Sequence, residues 1–181
     1  MKKTILILVA GLLSMLSAYT GHAQSKGKEI MNLLPTGSNA SMAKVTRHFW
    51  RTYGESKNEK WYSIKDGVMA EFQDKNILYK VIYNSKGNWV YTLKQYTEKE
   101  LPEEVRARVK TVYYDYPIRY VTEINEEINQ WDNFNRPESI VVYLLHVEND
   151  QESKTIRVAN GEMDLVETYD KIKGTVIKYI K

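Results

Sequence analysis

The spacing of apolar and polar residues predicts two helices separated by strands. Over 41–53, apolar residues recur every three or four positions, which indicates an amphipathic helix. A second helix is predicted within 101–118, where Pro102 suits the first helical position and Pro117 ends the helix. The apolar face of this second helix is expected to comprise Val105, Val109, Val112, Tyr113 and Tyr116.

Strands are predicted on both sides of the second helix, where apolar and polar residues alternate with a period of two. Turn residues join them as hairpins at Asp66-Gly67, at Ser85-Lys86-Gly87 and at Asn160-Gly161. A tail with interspersed lysines, 171–181, suits an edge strand. The other expected strands are 61–65, 68–73, 77–84, 88–96, 118–128, 139–148, 154–159 and 162–169.

The same alternation assigns the side chains of the first four strands to two faces. One face is expected to be covered by a helix and the other to be wetter. The expected covered face carries Ala70, Phe72, Tyr79, Val81, Tyr83, Trp89, Tyr91 and Leu93. The expected wetter face carries Glu71, Lys80, Thr92 and Lys94.

The two halves of the chain repeat the same order of elements. Three apolar positions of the first helix match three of the second at equal spacing, namely Val45, Phe49 and Tyr53 with Val105, Val109 and Tyr113. An internal duplication would give an α+β fold of two helix-then-four-strand units, 41–100 and 101–170. Two adjacent sheets, or one continuous antiparallel sheet with both helices on one face, satisfy this pattern. Chance similarity of tyrosine-rich hairpins is the alternative explanation.

The first 23 residues have the pattern of a secretory signal peptide. Lys2 and Lys3 are followed by an apolar stretch at 5–13 and by Gly21-His22-Ala23, a small-x-small cleavage site. We therefore expect a periplasmic or secreted protein with no membrane span. The chain has no cysteine, so we expect neither a lipid anchor nor disulfides, and a packed core must stabilise the fold.

Residues 24–40 are predicted to be a linker, because they are rich in glycine, serine and other turn formers. Four apolar residues within it are nevertheless able to dock on the domain: Ile30, Met31, Leu33 and Leu34. The 26 basic and 23 acidic residues give a net charge of +3, and loss of Lys2 and Lys3 leaves 24 against 23, or +1. Such a balance does not favour a nucleic-acid partner.

Several short motifs carry a resemblance to a known family. They are W-Y-x-x-x-D-G-x-x-A-x-F at 61–72, Y-x-V-x-Y-N-S-K-G-N-W-x-Y-T at 79–92, L-P-x-x-V at 101–105 and N-G-E at 160–162. Over about residues 41–170 the chain resembles the secreted bacterial β-lactamase-inhibitor-like, PepSY-like domain family. The resemblance implies a tandem α+β fold, similar to β-lactamase inhibitor protein, in an exported protein without catalysis. It does not carry over inhibition of β-lactamase, because function depends on sites rather than on fold.

No catalytic, cofactor-binding or metal-binding pattern stands out. After the signal peptide the only histidines are His48 and His146, and the sequence lacks G-x-S-x-G, a glycine-rich phosphate loop and paired Cys/His spacings. Asn149, Asp150 and Glu152 supply oxygen atoms of the kind that calcium prefers, but they do not match the EF-hand pattern. We therefore predict no catalytic residue, no cofactor and no metal.

The candidate partner-binding residues are Trp131 and Phe134, two aromatic residues in a polar segment, 129–138, that is predicted to be a loop. Aromatic residues in loops are frequent binding anchors, and the alternative explanation is that these two fold back and cap the core. The leading hypothesis is an exported, non-enzymatic binding or inhibitor-like module with an unknown protein, peptide or envelope partner. The alternatives are a regulator or inhibitor of an envelope hydrolase and a structural envelope protein without a discrete ligand.

Overall fold

The computed structural model describes residues 39–54, 58–131 and 137–179. Its two helices are α1 (Asn39–Tyr53) and α2 (Glu103–Val112), and a short 3-10 helix (Glu98–Glu100) precedes α2. The strands are β1 (Lys60–Ile64), β2 (Gly67–Asp74), β3 (Ile77–Asn84), β4 (Trp89–Tyr96), β5 (Ile118–Trp131), β6 (Pro137–Glu148), β7 (Glu152–Ala159), β8 (Glu162–Asp170) and β9 (Thr175–Lys178). Neither α1 nor α2 is long and apolar enough to cross a membrane.

The strands form one nine-stranded antiparallel sheet in the order β1 to β9, so every strand pairs with its neighbours in sequence. Turn residues set several of these hairpins. Asn160 and Gly161 both have positive φ, 52° and 75°, as the two central residues of a type I′ turn require. The tail forms the edge strand that its lysines suggested, β9, which pairs with β8 alone among the described strands.

Helix α1 covers the first four strands through an aromatic cluster. Met42, Val45 and Phe49 lie on one face of the helix and are at most 2% exposed. They contact buried side chains from β1, β2 and β3, which are Trp61, Val68, Ala70, Phe72, Val81 and Tyr83. The helical spacing of these apolar residues was therefore a correct guide to the covered face.

Helix α2 covers the second half of the sheet but is shorter than the sequence suggested. Val105 and Val109 are buried, whereas Val112 is 56% exposed and does not belong to the apolar face as predicted. Pro102 is the N-cap residue, so Glu103 takes the first helical position. The buried partners of the helix include Leu101 and, from the sheet, Tyr96, Ile118, Val121, Leu145, Val147, Ile156 and Val158.

The helix ends at Val112 because tertiary contacts hold Tyr116 in a different place. Tyr113 has non-helical dihedral angles, φ −116° and ψ 50°. The Lys110 ammonium donates to the Tyr116 carbonyl oxygen at 2.7 Å. The Tyr116 ring packs edge-on to Tyr113 and lies 5.1 Å from the ammonium nitrogen of Lys154 on β7. Pro117 therefore follows a turn rather than ending the helix.

Both helices lie on the same face of the one sheet, which is the second of the two arrangements left open above. The cluster under α1 and the cluster under α2 are joined by one row of side chains across the sheet: Phe72, Tyr79, Lys94, Glu123, Tyr143 and Val158. We call this side the helix face and the opposite side the open face. The internal duplication of the two halves remains a prediction.

A β-bulge corrects the assignment of β4 to the two faces. Tyr83 pairs with Trp89, but its neighbour Ile82 pairs with Tyr91, so Val90 is an extra residue in β4. This residue reverses the alternation. Tyr91 and Leu93 consequently point to the open face. Thr92 and Lys94, which were expected on the wetter face, lie on the helix face, and Thr92 is buried there.

The other correction concerns the segment 129–138, which was predicted to be a loop: its described residues, 129–131 and 137–138, lie in strands. β5 continues to Trp131 and β6 begins at Pro137. Ile128 pairs with Glu138 and Trp131 pairs with Pro137, so the pairing continues to the last described residue of β5 and the first of β6. Helix α1 likewise begins at Asn39, inside the predicted linker.

Candidate partner-binding surfaces

The hairpin of β5 and β6 extends beyond the rest of the sheet. In β5, pairing with β4 ends at Glu126, which pairs with Tyr91. In β6, pairing with β7 begins at Val142, which pairs with Ala159. Beyond this level, 127–131 and 137–141 pair only with each other among the described strands. At the rise of an extended strand, five residues span about 17 Å. The hairpin is therefore an arm that projects from the sheet.

The projecting arm places one of the two predicted partner-binding residues at its end. Trp131 is the last residue of β5, although its side chain lies outside the described residues. Phe134 lies wholly outside them. Among the described strands, none pairs with the outer edges of the arm.

The open face carries an apolar cluster at its centre. Its buried members come from β3 to β7 and none comes from a helix: Ile82, Leu93, Ile124, Val142, Leu144 and Ala159. Ion pairs flank this cluster on either side, Lys80 with Glu71 at 3.6 Å and Arg157 with Asp164 at 3.2 Å. The open face is therefore not the generally wet surface that strand alternation predicted.

Glu126 is a carboxylate at the border of this apolar cluster. It lies in one row with Tyr91 and Ile140, at the level where the arm leaves the sheet. Burial raises the pKa of Glu126 above its ordinary value of 4.5. Within the described part of the chain its side chain has no ion pair or hydrogen bond that would offset this loss of hydration.

Replacing Glu126 with glutamine is expected to stabilise the protein at pH 7 by less than about 1 kcal/mol. A carboxyl with a raised pKa keeps its proton in the folded chain at pH values where the unfolded chain has released it, so stability falls as the pH rises above 4.5. Glutamine has the same shape and no charge. Urea unfolding at pH 4 and pH 7 should therefore show a smaller loss of stability between the two values for Glu126→Gln than for the natural chain. An equal loss in both proteins would contradict this explanation.

A buried ion pair lies on the helix face between the two apolar clusters. Glu123, 8% exposed, accepts one hydrogen bond of 2.6 Å from the Lys94 ammonium and another of 2.6 Å from the Tyr96 hydroxyl. Burial and the hydrogen bond to Glu123 raise the pKa of Tyr96. Each polar atom of this trio is engaged by another, so it holds β4 to β5 rather than offering a free acid or base. The sequence did not identify it, because Lys94 and Glu123 become neighbours only through strand register.

The two histidines are packing residues in this fold. His48 Nδ1 lies 2.9 Å from the Tyr83 hydroxyl, and its ring stacks on Trp89 at 6.0 Å. His146 stacks on the exposed Tyr120 at 4.7 Å, and burial lowers the pKa of His146.

The oxygen-rich turn at 149–152 uses its oxygen atoms within the chain. The Asn149 side-chain oxygen accepts from the backbone N–H groups of Gln151 and Glu152, at 3.0 and 2.9 Å. The Glu152 carboxylate accepts from the Tyr116 hydroxyl and pairs with the Lys154 ammonium. Among the described residues no group of three or more acidic or histidine side chains is placed to hold a metal ion.

Comparison with known proteins places this fold beside two solved structures from Bacteroides. A DUF2874 family protein from Bacteroides ovatus ATCC 8483 has a TM-score of 0.52 at 19% identity, over 70% of this chain and 85% of that chain. A BLIP-like protein from Bacteroides fragilis NCTC 9343 has a TM-score of 0.52 at 15% identity, over 74% of this chain and 88% of that chain. No protein-family model and no curated protein matches the sequence. At the level of the fold, the chain is similar to BLIP-like and DUF2874 proteins, as the sequence motifs implied.

Proposed function

We propose that this protein is an exported, non-catalytic binding module of the bacterial cell envelope, and that the end of the β5–β6 arm contacts a protein or peptide partner. The observation that carries the proposal is the length of this hairpin, which pairs internally beyond the ends of β4 and β7. A two-stranded arm that ends at Trp131, with Phe134 three residues further along the chain, would offer a partner aromatic anchors and strand edges with which to pair.

The absence of catalysis in this proposal is supported by how the polar groups are used. Carboxylates and histidines are the side chains that most often act as catalytic acids and bases. Here Glu123 is ion-paired and hydrogen-bonded, and both histidines stack on aromatic rings. The buried tyrosines Tyr83 and Tyr96 have raised pKa values, so they are poor bases and nucleophiles at neutral pH.

Export is supported by the sequence itself. The segment 1–23 has the order of charged, apolar and small residues that secretion signals share. The 181 residues contain no cysteine, which suits a chain whose stability must not depend on the redox state of its compartment. These features support a partner in the periplasm or outside the cell.

Replacing Trp131 and Phe134 with alanine is expected to reduce recovery of the partner by about tenfold or more, because aromatic anchors at an interface commonly contribute 2 kcal/mol or more. The natural protein and the Trp131→Ala/Phe134→Ala variant are used as baits in envelope extract, and recovered proteins are quantified by mass spectrometry. Far-UV circular dichroism and thermal unfolding should remain unchanged, because Trp131 ends β5 beyond the part of the strand that pairs with β4.

The matched control is Trp50→Ala, which removes an aromatic side chain that is 53% exposed on α1. Partner recovery should be the same for this variant and the natural protein. Equal recovery by the arm variant would remove the arm from the proposal. The absence of any specifically recovered protein would argue against a protein-binding module altogether.

Inhibition of an envelope hydrolase is the second candidate function, and the fold similarity to a BLIP-like protein motivates it. It predicts that the purified protein slows a hydrolase of its own envelope in a dose-dependent manner. Loss of this effect in the arm variant, with Trp50→Ala unaffected, would make inhibition the consequence of binding by the arm.

A further inference from the structure

The exposed apolar side chains of this protein are concentrated at one edge of the sheet. Among the described residues, nine large hydrophobic side chains are exposed, and five of the nine lie within 169–179. This segment comprises the end of β8, the turn after it and the edge strand β9 with its flank. The five side chains are Tyr169, Ile172, Val176, Ile177 and Tyr179. A concentration of exposed apolar side chains of this kind marks an interaction surface.

The backbone of β9 directs hydrogen-bonding groups to its outer side. In the register of β8 and β9, Tyr179 lies opposite Val166, and its N–H donates to the Val166 carbonyl oxygen at 2.9 Å. Hydrogen bonds of an antiparallel pair alternate along each strand, so every second residue of β9 bonds to β8. The N–H and C=O groups of Val176 and Lys178 therefore point away from β8. Among the described strands, none pairs with this outer side.

The lysines at this edge are each offset by an acid of the same chain. Unpaired charges commonly protect an edge strand from pairing with another strand. Here the Lys178 ammonium lies 3.8 Å from the Glu167 carboxylate, and the Lys173 ammonium lies 3.5 Å from the Asp170 carboxylate. The edge consequently repels another strand less than its lysines alone would.

We propose that β9 pairs with β9 of a second copy of this chain, antiparallel and about a two-fold axis, so that the sheet continues through both copies. A two-fold interface requires a surface that is complementary to itself. This edge has outward N–H and C=O groups, and it has apolar side chains on both sides of the sheet. Ile177 lies on the helix face, in one row with Val147 under α2, and Val176 lies on the open face. The inference does not depend on the arm, which is formed by other strands.

The lysines and the preceding turn select one register for this pairing. Its hydrogen-bonded pairs must come from Val176 and Lys178, whose backbone groups point outward. Lys178 opposite Lys178 of the second copy would set like charges face to face. Val176 opposite its own copy would set Lys178 opposite Gly174, which has a φ of 65° and belongs to the turn. Val176 opposite Lys178 of the second copy avoids both and pairs all residues from 175 to 179.

This register brings apolar side chains together at the two-fold axis. Ile177, 52% exposed in the single chain, lies opposite Ile177 of the second copy. No residue of β9 is among the described side chains packed under α2, so an added strand meets the sheet and not the helix. Five paired residues from each chain bury less surface than the about 1,200 Å² of stable complexes, so the dimer is weak and reversible.

The first test uses single cysteines in the whole protein, which has no cysteine of its own. Ile177→Cys places two thiols opposite each other at a pair without hydrogen bonds, where the Cα atoms are about 4.5 Å apart and a disulfide can form. The matched control is Thr175→Cys, an exposed position on the same face of the same strand. In the proposed register this second thiol is about 14 Å from its copy. Each protein is oxidised mildly, and disulfide-linked dimers are quantified over time by non-reducing electrophoresis.

We expect Ile177→Cys to form linked dimers several-fold faster than Thr175→Cys. Equal rates would overturn the proposal, because the exposed thiols would then meet by random collision rather than in a fixed register. Faster linkage of Thr175→Cys would also overturn it, since that result requires a different pairing of the strands.

The second test measures association without cysteines. Val176→Pro removes an N–H that points away from β8 and is tolerated on an edge strand, whereas Val176→Thr keeps the N–H and the branched shape. The sedimentation coefficients of the natural protein and of Val176→Thr should rise toward that of a dimer between about 5 and about 500 µM, and Val176→Pro should remain a monomer with unchanged far-UV circular dichroism.

Three results of this second test would overturn the proposal. The natural protein could sediment as a monomer at every concentration. Association could persist in Val176→Pro, which would exclude the outer side of β9 as the contact. Species larger than a dimer would indicate pairing of β9 with β1 of the next copy, because such a head-to-tail contact does not close.

Discussion

Replacing Phe49 with alanine is expected to lower the free energy of unfolding by about 3–5 kcal/mol. Phe49 is 0% exposed and occupies the centre of the contact between α1 and the sheet. Its ring centroid lies 5.3 Å from Tyr53, 5.0 Å from Trp61 and 5.5 Å from Phe72. Alanine would leave a cavity among three rings that cannot move together without shifting the helix, and it would remove three aromatic contacts.

The neighbouring residue provides the control for this prediction. Trp50→Ala removes a larger ring from the exposed side of the same helix and should change stability by no more than about 0.5 kcal/mol. Urea unfolding followed by far-UV circular dichroism compares the two variants with the natural chain. A loss below about 1 kcal/mol for Phe49→Ala would mean that α1 contributes little to the fold, contrary to the packing described above.

Replacing Lys94 with methionine is expected to destabilise the protein by about 2–4 kcal/mol, somewhat less than for a completely buried pair. The substitution keeps a long apolar side chain but leaves the Glu123 carboxylate, 8% exposed, with only the Tyr96 hydroxyl as a partner. The loss arises mainly from the uncompensated charge. Adding Glu123→Gln to Lys94→Met should therefore recover most of the stability, because glutamine is neutral and can still accept from Tyr96.

The control for this prediction removes a lysine from an exposed ion pair. Lys178 lies 3.8 Å from Glu167 and its side chain is 71% exposed, so Lys178→Met should change stability by no more than about 0.5 kcal/mol. Thermal and urea unfolding of the three variants and the natural chain provide the comparison. If the double variant is as unstable as Lys94→Met alone, the loss comes from the packing of the lysine stem and not from the buried charge.

Most elements could be predicted from the sequence because their signals are local. The spacing of Met42, Val45 and Phe49 identifies both α1 and its covered face, and Asn160-Gly161 marks a turn whose backbone geometry few other residue pairs adopt. The register of the strands follows once such turns are located. Similarity in fold to a BLIP-like protein was also foreshadowed by motifs made of turn and core residues.

The predictions that proved wrong depended on contacts that are distant in sequence. Nothing in the alternation of β4 reveals that Val90 is an extra residue, and this single residue exchanged the faces of Tyr91, Thr92 and Leu93. The end of α2 similarly depends on Tyr116 binding Lys154 and Glu152, two residues of a strand far along the chain. Local propensity favours a longer helix, and the tertiary contacts override it.

The candidate site was partly visible in the sequence. Trp131 was identified because an aromatic residue in a polar segment is unusual, but the segment was taken for a loop. The burial of Glu126 could not be predicted from the sequence. Its row neighbours, Tyr91 and Ile140, are defined only by the register of the strands.

The order of the sheet, in which each strand pairs with the next along the chain, also bears on how the protein folds. Such a meander has a low contact order for an antiparallel sheet. Its paired strands with the largest separation in sequence are β4 and β5, and α2 lies between them. A chain that emerges with its N-terminus first can form α1 and the first four strands before the later strands appear, and each later strand can then add to an edge that already exists. We therefore expect folding to advance in the direction of synthesis, with β9 completing the sheet last.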